Sequence, residues 1–158
     1  MSDDSKNKGG AVKLVSTYLT VKDAKKALAF YAQAFGAREI FRLEDPNGVI
    51  GHAEFMIGDT LLQIADEYPD FGALSPITIG GCPVKFTIEV EDAHAAFNQA
   101  VAAGCQSMRA VEKQFYGYLS GLVADPFGYS WFLQQKVEDL SAEEMQERWE
   151  AVFDESCA

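Results

Sequence analysis

The sequence predicts an α+β chain: two tandem β-α-β-β-β modules forming cupped mixed sheets, followed by a C-terminal helix. Three observations predict it. The first is an internal echo. Val21-x-Asp23-Ala24-x-x-Ala27 recurs as Val90-x-Asp92-Ala93-x-x-Ala96 at an offset of 69, and Ala34-Phe35-Gly36 is answered by Ala102-Ala103-Gly104 at an offset of 68. The second is a change of period: a strand-like alternation precedes each repeated Asp and a helical apolar period follows it. The third is that each helix leads into three short β-rich runs separated by turn residues.

Residues 1–12 read as a flexible polar tail. Leu14 to Val21 alternates and is rich in β-branched and aromatic residues, as a strand requires. Asp23 is placed to cap a helix whose apolar face is Ala24, Ala27, Leu28, Tyr31, Ala34 and Phe35, and Gly36 closes it. Strands follow over 38–43, 50–57 and 60–65, parted by Asp45-Pro46-Asn47-Gly48 and Gly58-Asp59. Residues 67–82 are a long connection, of the kind that serves as a lid or a disordered linker. The second copy repeats the order: a strand at Val84–Val90, a helix capped by Asp92 and closed by Gly104, then strands near 106–112, 118–124 and 130–135. The modules thus occupy 13–66 and 83–135 of a domain over 13–135. Ser141-Ala142-Glu143-Glu144 is a capping box that opens an amphipathic helix in the 136–158 segment, with Met145, Trp149 and Val152 as its stripe.

Each module covers one sheet face with its helix and leaves the other bare. On the first strand Leu19 and Val21 suit the helix side, and Ser16, Tyr18 and Thr20 the other. On the fifth, Phe86 and Ile88 face the helix while Lys85, Thr87 and Glu89 point away. A polar bare face is either solvent-exposed or the wall of a wet, ligand-sized cavity; pairing of bare faces or sheet edges favours the cavity.

Charge excludes several classes. There are 13 basic and 24 acidic residues, a net of −11, which argues against a nucleic-acid partner. Eight acids against one base lie between Val137 and Ala158, so the body is nearly neutral. No apolar run is long enough for a membrane span, and the polar N-terminus is no secretory signal. Cys82, Cys105 and Cys157 form neither a disulfide framework nor a zinc spacing, so a reducing cytoplasm is expected. Exposed sheet edges and cavity walls predict a homodimer.

The repeated strand and Asp-Ala-x-x-Ala helix, Phe30-Tyr31-x-x-Ala34-Phe35-Gly36-Ala37, Gly51-His52-Ala53-Glu54, Gly58-Asp59-Thr60, Phe115-Tyr116-Gly117 and Asp125-Pro126-Phe127-Gly128 together resemble the vicinal oxygen chelate superfamily, the glyoxalase, bleomycin-resistance and extradiol-dioxygenase group. The likeness is greatest to the subgroup labelled 3-demethylubiquinone-methyltransferase-like. It implies paired modules, usually dimeric, holding a metal or ligand between cupped sheets. The metal ligands it implies fall at Ser16 and Lys85 on the first strands and Gln63 and Phe132 on the last. Of these only Gln63 suits a divalent ion: phenylalanine has no donor, lysine is an ammonium, and a lone serine binds poorly. No metal site and no cofactor is therefore expected.

His52 and Glu54, two apart on a strand, share a face; beside Gln63 they either bind a ligand, metal or proton, or form an ordinary ion pair. Tyr18, Met56 and Phe132 read as an apolar wall, Lys85 as a cation for an acidic ligand group, and Tyr116 as part of the rim or as turn packing. Trp131 is expected under the second helix, and His94 at the surface. Three functions remain open: a small-molecule-binding protein of the bleomycin-resistance type without a metal, a metal-dependent lyase, isomerase or thiol transferase, or a dimeric interaction module, which would require side chains to fill the cavity.

Overall fold

The computed structural model describes residues 10–155. The tail expected at 1–12 lies mostly outside this range, as does Cys157. The first module comprises β1 (Thr17–Val21), α1 (Ala24–Phe35), β2 (Arg38–Glu44), β3 (Ile50–Ile57) and β4 (Thr60–Asp66). The connection carries a 3-10 turn (Pro69–Phe71) and the one-turn helix α2 (Pro76–Ile79). The second module comprises β5 (Lys85–Glu89), α3 (Ala93–Ala103), β6 (Gln106–Lys113), β7 (Tyr118–Ala124) and β8 (Ser130–Lys136), and α4 (Ala142–Glu155) follows. The sheet orders are β1-β4-β3-β2 and β5-β8-β7-β6, with the first and last strand of each module parallel and the other neighbours antiparallel.

The helices begin where their caps dictate: Asp23 accepts from Lys26 N and Asp92 from Ala95 N, both at 3.0 Å. β1 begins at Thr17 rather than Leu14. Its one strand partner among the described residues, β4, starts at Thr60, and a register of Thr17 to Leu62 leaves nothing for residues before Val15 to pair with. The 67–82 connection is built rather than loose. Glu67 accepts from Ser75 N at 2.6 Å, and Tyr68 bridges to Ala73. At Gly128, whose φ is +97°, a side chain would also collide with Pro76 of α2, so the Asp-Pro-Phe-Gly turn packs tightly on this connection.

The two helix-bearing faces converge on one core. Leu19, Tyr31 and Phe55 of the first module and Val123, Trp131 and Leu133 of the second belong to the same buried cluster. Trp131 lies under α1 rather than under α3, with its ring 4.7 Å from Phe35, 5.4 Å from Tyr31 and 4.3 Å from Phe86. Asp125 fixes it there. This buried carboxylate accepts from Trp131 Nε1 at 2.9 Å and Tyr31 Oη at 2.6 Å, and from the backbone of Phe127 and Tyr129. A shared helix-side core has a consequence for the site: each bare face points away from it, so the two cannot close on one another within one chain.

α4 starts at the predicted capping box, with Ser141 Oγ accepting from Glu144 N at 3.1 Å. It is held to the second module by Arg148, which forks onto Glu138 at 2.8 and 2.9 Å, and by Trp149, whose ring lies 5.4 Å from Phe115. No helix among the described residues is long and apolar enough to cross a membrane.

Candidate functional site

Register organises the bare faces into rows. Across the first sheet, Tyr18 pairs with Gln63, Gln63 with Glu54, and Glu54 with Phe41. His52 and Met56 share the face by alternation, each two residues from Glu54 on β3. Five of the eight candidate residues are therefore brought together on one surface.

Three of them form a hydrogen-bonded line. Tyr18 Oη lies 2.8 Å from His52 Nδ1, and His52 Nε2 lies 3.4 Å from Glu54 Oε1. Desolvation raises the Tyr18 phenol above its usual value. In the tautomer with the proton on Nε2, which the Glu54 carboxylate as an acceptor favours, Nδ1 accepts from Tyr18 Oη. The imidazole sits between the Tyr18 and Phe41 rings, at 5.5 and 5.7 Å. Such a line can orient a polar ligand group or pass a proton to it. At one end of this face, Tyr18, Thr20, Gly51, Ala65 and Tyr68 contribute to a pocket of about 470 Å³ walled by the 66–73 connection.

The other candidates lie on the second module. Phe132 is in the row Thr87, Phe132, Leu122, Arg109. Lys85 is one row away, paired with Ser130, and is exposed. Tyr116 lies in the β6–β7 turn, its ring 5.2 Å from Phe115 and 5.8 Å from Tyr118, toward the C-terminal helix. Phe132 and the pair Tyr18–Met56 are thus on separate faces, and a single apolar wall is not formed within one chain.

Arg109 was not singled out by the sequence reading. Its guanidinium carbon lies 5.7 Å from the Phe132 ring centre, and Nη2 donates to Ser120 Oγ at 3.2 Å. A signal for it exists in the sequence: it is an Arg inside a β-run, offset by 68 from Phe41.

The implied metal positions do not fit a divalent ion. Ser16 Oγ is spent on Leu61 O at 2.7 Å, Phe132 has no donor atom, and Lys85 is a cation. Gln63 is left with His52, whose two ring nitrogens already have partners. Among the described residues no group of three or more His, Cys, Asp or Glu is placed to hold a metal.

Comparison with known proteins agrees with this architecture. The profile of the family described as "Glyoxalase/Bleomycin resistance protein/Dioxygenase superfamily" matches residues 13–133. Uncharacterized proteins of Mycobacterium bovis and Mycobacterium tuberculosis are each 36% identical over 135 residues, 84% of this chain and 89% and 79% of theirs. A solved gene product of Arabidopsis thaliana is 25% identical with a TM-score of 0.62, over 78% of this chain and 98% of that one. The fosfomycin resistance protein FosX of Listeria monocytogenes, solved with Mn(II) and sulfate, shares the fold with a TM-score of 0.64 at 17% identity, over 88% of this chain and 98% of its own. The chain belongs to the glyoxalase/bleomycin-resistance/dioxygenase superfamily.

Proposed function

We propose that this protein binds a small organic molecule on the bare faces of its sheets, without the divalent metal, and that a second copy closes each face into a cup. One observation carries this reading: the helix-bearing faces share one core, so rows of polar and aromatic residues face away from it on the other side of both sheets, with Tyr18 and Phe41 exposed in the first and Thr87 in the second. A mixed lining of this kind suits a ligand, with apolar groups supplying burial and a few polar ones setting orientation. Phe41 and Leu43, beside Glu54 and His52, are 40% and 60% exposed, which favours a covering partner. Within the superfamily we place the chain near the 3-demethylubiquinone-methyltransferase-like subgroup, on its Phe-Tyr-Gly and Asp-Pro-Phe-Gly segments. We expect it in the cytoplasm.

Sedimentation is expected to show twice the 17.3 kDa of one chain at micromolar concentration; a monomer overturns the closed cup. A thermal-shift screen of small organic acids, amides and phenols is expected to give hits whose NMR shifts map to the bare faces. Hits that map only to the helix layer overturn the binding site.

A second reading, turnover of the bound molecule, is favoured by the Tyr18–His52–Glu54 line, which is arranged for proton transfer. In its metal-dependent form, as a lyase, isomerase or thiol transferase, His52 would have to exchange a partner for the ion. Elemental analysis giving about one metal per chain, lost on Gln63→Ala, would establish that form over the first.

A further inference from the structure

We propose that Arg109, Ser120 and Phe132 form a subsite for a carboxylate carried on a flat aromatic ring. This rests on the ligand-binding reading above and names the chemistry of the ligand.

The chain has four arginines. Arg42 and Arg148 each spend their fork on a carboxylate, Glu39 and Glu138 respectively. Arg109 has no carboxylate within ion-pair distance among the described residues, although acids outnumber bases 24 to 13. The register places Glu89 and Glu112 in the next row of the same face, and neither reaches it.

What Arg109 has instead is placement. Nη2 is held by the hydroxyl of Ser120, a fully buried residue, and the guanidinium lies against the Phe132 ring. Its Nε is buried with no hydrogen-bond partner. A purely packing role needs only the aliphatic stem, and burying part of a charge beside no counter-charge is unfavourable. The arrangement makes sense when the counter-charge arrives with a ligand. Nε is closed off, so the Nη1–Nη2 edge is the one left to meet it, and that edge matches the two oxygens of a carboxylate. Leu122 separates Arg109 from Phe132 in the row and gives the ligand's ring an apolar bed. Fixing the side chain beforehand lowers the ordering cost of binding. Lys85, exposed and a row away, adds only a screened attraction.

The probes are 2-naphthoate and its neutral counterpart 2-naphthamide, titrated into the full chain and followed by amide and arginine Nε–H NMR. Wild type is expected to bind the carboxylate at least about tenfold tighter than the amide, the scale of a charge-assisted fork. The shifts should map to β6, β7 and β8, and the Arg109 Nε–H signal should move. Arg109→Met should abolish the preference; Arg109→Lys, which keeps charge but loses the fork, should retain part of it. The wild-type readouts stand even where a variant folds poorly. Equal affinities with shifts on a bare face overturn the oxyanion subsite and leave the ligand-binding reading intact. Shifts confined to the helix layer overturn both, and binding of neither probe overturns the subsite.

Discussion

Two rows of side chains hold equivalent places in the two sheets and carry opposite chemistry. Tyr18, Gln63, Glu54 and Phe41 cross the first; Thr87, Phe132, Leu122 and Arg109 cross the second. The first is polar at its centre and aromatic on its outer strand. The second is apolar at its centre and cationic on its outer strand. The opposite sides of the same strands behave differently: Leu19, Phe55 and Ile64 correspond to Ile88, Val123 and Leu133, apolar in both halves. Burial holds the helix side to one chemistry, since a polar group there would lose its water without a partner. No such constraint acts on the bare side. Function is therefore best sought where the two halves share a register and disagree in residue type.

The sharpest test of unequal halves is a turn used twice. Asp45 and Asp125 each open an Asp-Pro-x-Gly turn and accept from the backbone two and four residues on, at 2.8 to 2.9 Å. Asp45 is exposed. Asp125 is buried and also accepts from Tyr31 and Trp131, which ties the modules together. Asp125→Ala is expected to cost about 3–5 kcal/mol, because four buried donors lose their acceptor, and Asp45→Ala about 1 kcal/mol or less. Urea unfolding measures both, and equal losses would break the distinction.

Where the second module has Cys105, the first has Ala37, at an offset of 68. Burial, with Asp125 adding its negative field, pushes the Cys105 thiol up to about 12. The folded state thus holds its proton more tightly than the unfolded chain, whose thiol titrates near 8.5. The stability this contributes is complete below that value and is lost as pH rises toward 12. Cys105→Ala, which makes the second half like the first, should flatten the alkaline decline in melting temperature; an unchanged slope would assign the decline to Tyr31 and Tyr129, also raised by burial.

The outer strand of the first row can be tested as well. If a partner copy closes the faces, Phe41→Glu and Leu43→Glu, on exposed apolar positions, should each weaken the dimer by about tenfold. Sedimentation equilibrium measures this, and an unchanged dimer would mean that the partner does not cover this strand.

The fold was legible because the repeat, caps and turns are local signals: Asp23, Asp92, Gly36 and Ser141 all act in the structure as their positions predict. Only the cross-strand register joins Tyr18, His52, Glu54 and Gln63 on one surface; alternation put Tyr18 on the bare side of its strand and His52 and Glu54 on one face of theirs. It could not say which faces of the two modules meet, since that depends on contacts such as Tyr31 to Asp125, 94 residues apart. For the same reason Trp131 was expected under the wrong helix. Arg109 escaped notice because an Arg in a strand reads as an ordinary exposed residue until its neighbours across the sheet, Ser120 and Phe132, are known.

The smallest expected effect concerns two carboxylates just beyond the last strand of each module. Hydrogen bonds from Ser75 and Thr78 lower Glu67 to about 2, and hydrogen bonds from Arg148 and Lys113 lower Glu138 to about 2. Each thereby fastens the segment that follows: the 68–80 connection in one half, α4 in the other. A carboxyl depressed in the folded state stabilises it above its unfolded value near 4.3, and that contribution is lost as pH falls toward 2. Both groups lie at the surface, so the loss should be local rather than global. In hydrogen exchange at neutral pH, Glu138→Gln is expected to speed exchange in residues 142–155 alone and Glu67→Gln in residues 68–80 alone, with the strands unchanged. Faster exchange throughout the sheets in either variant would mean that these carboxylates hold the modules themselves, and that the two halves are more alike at their ends than their bare faces are.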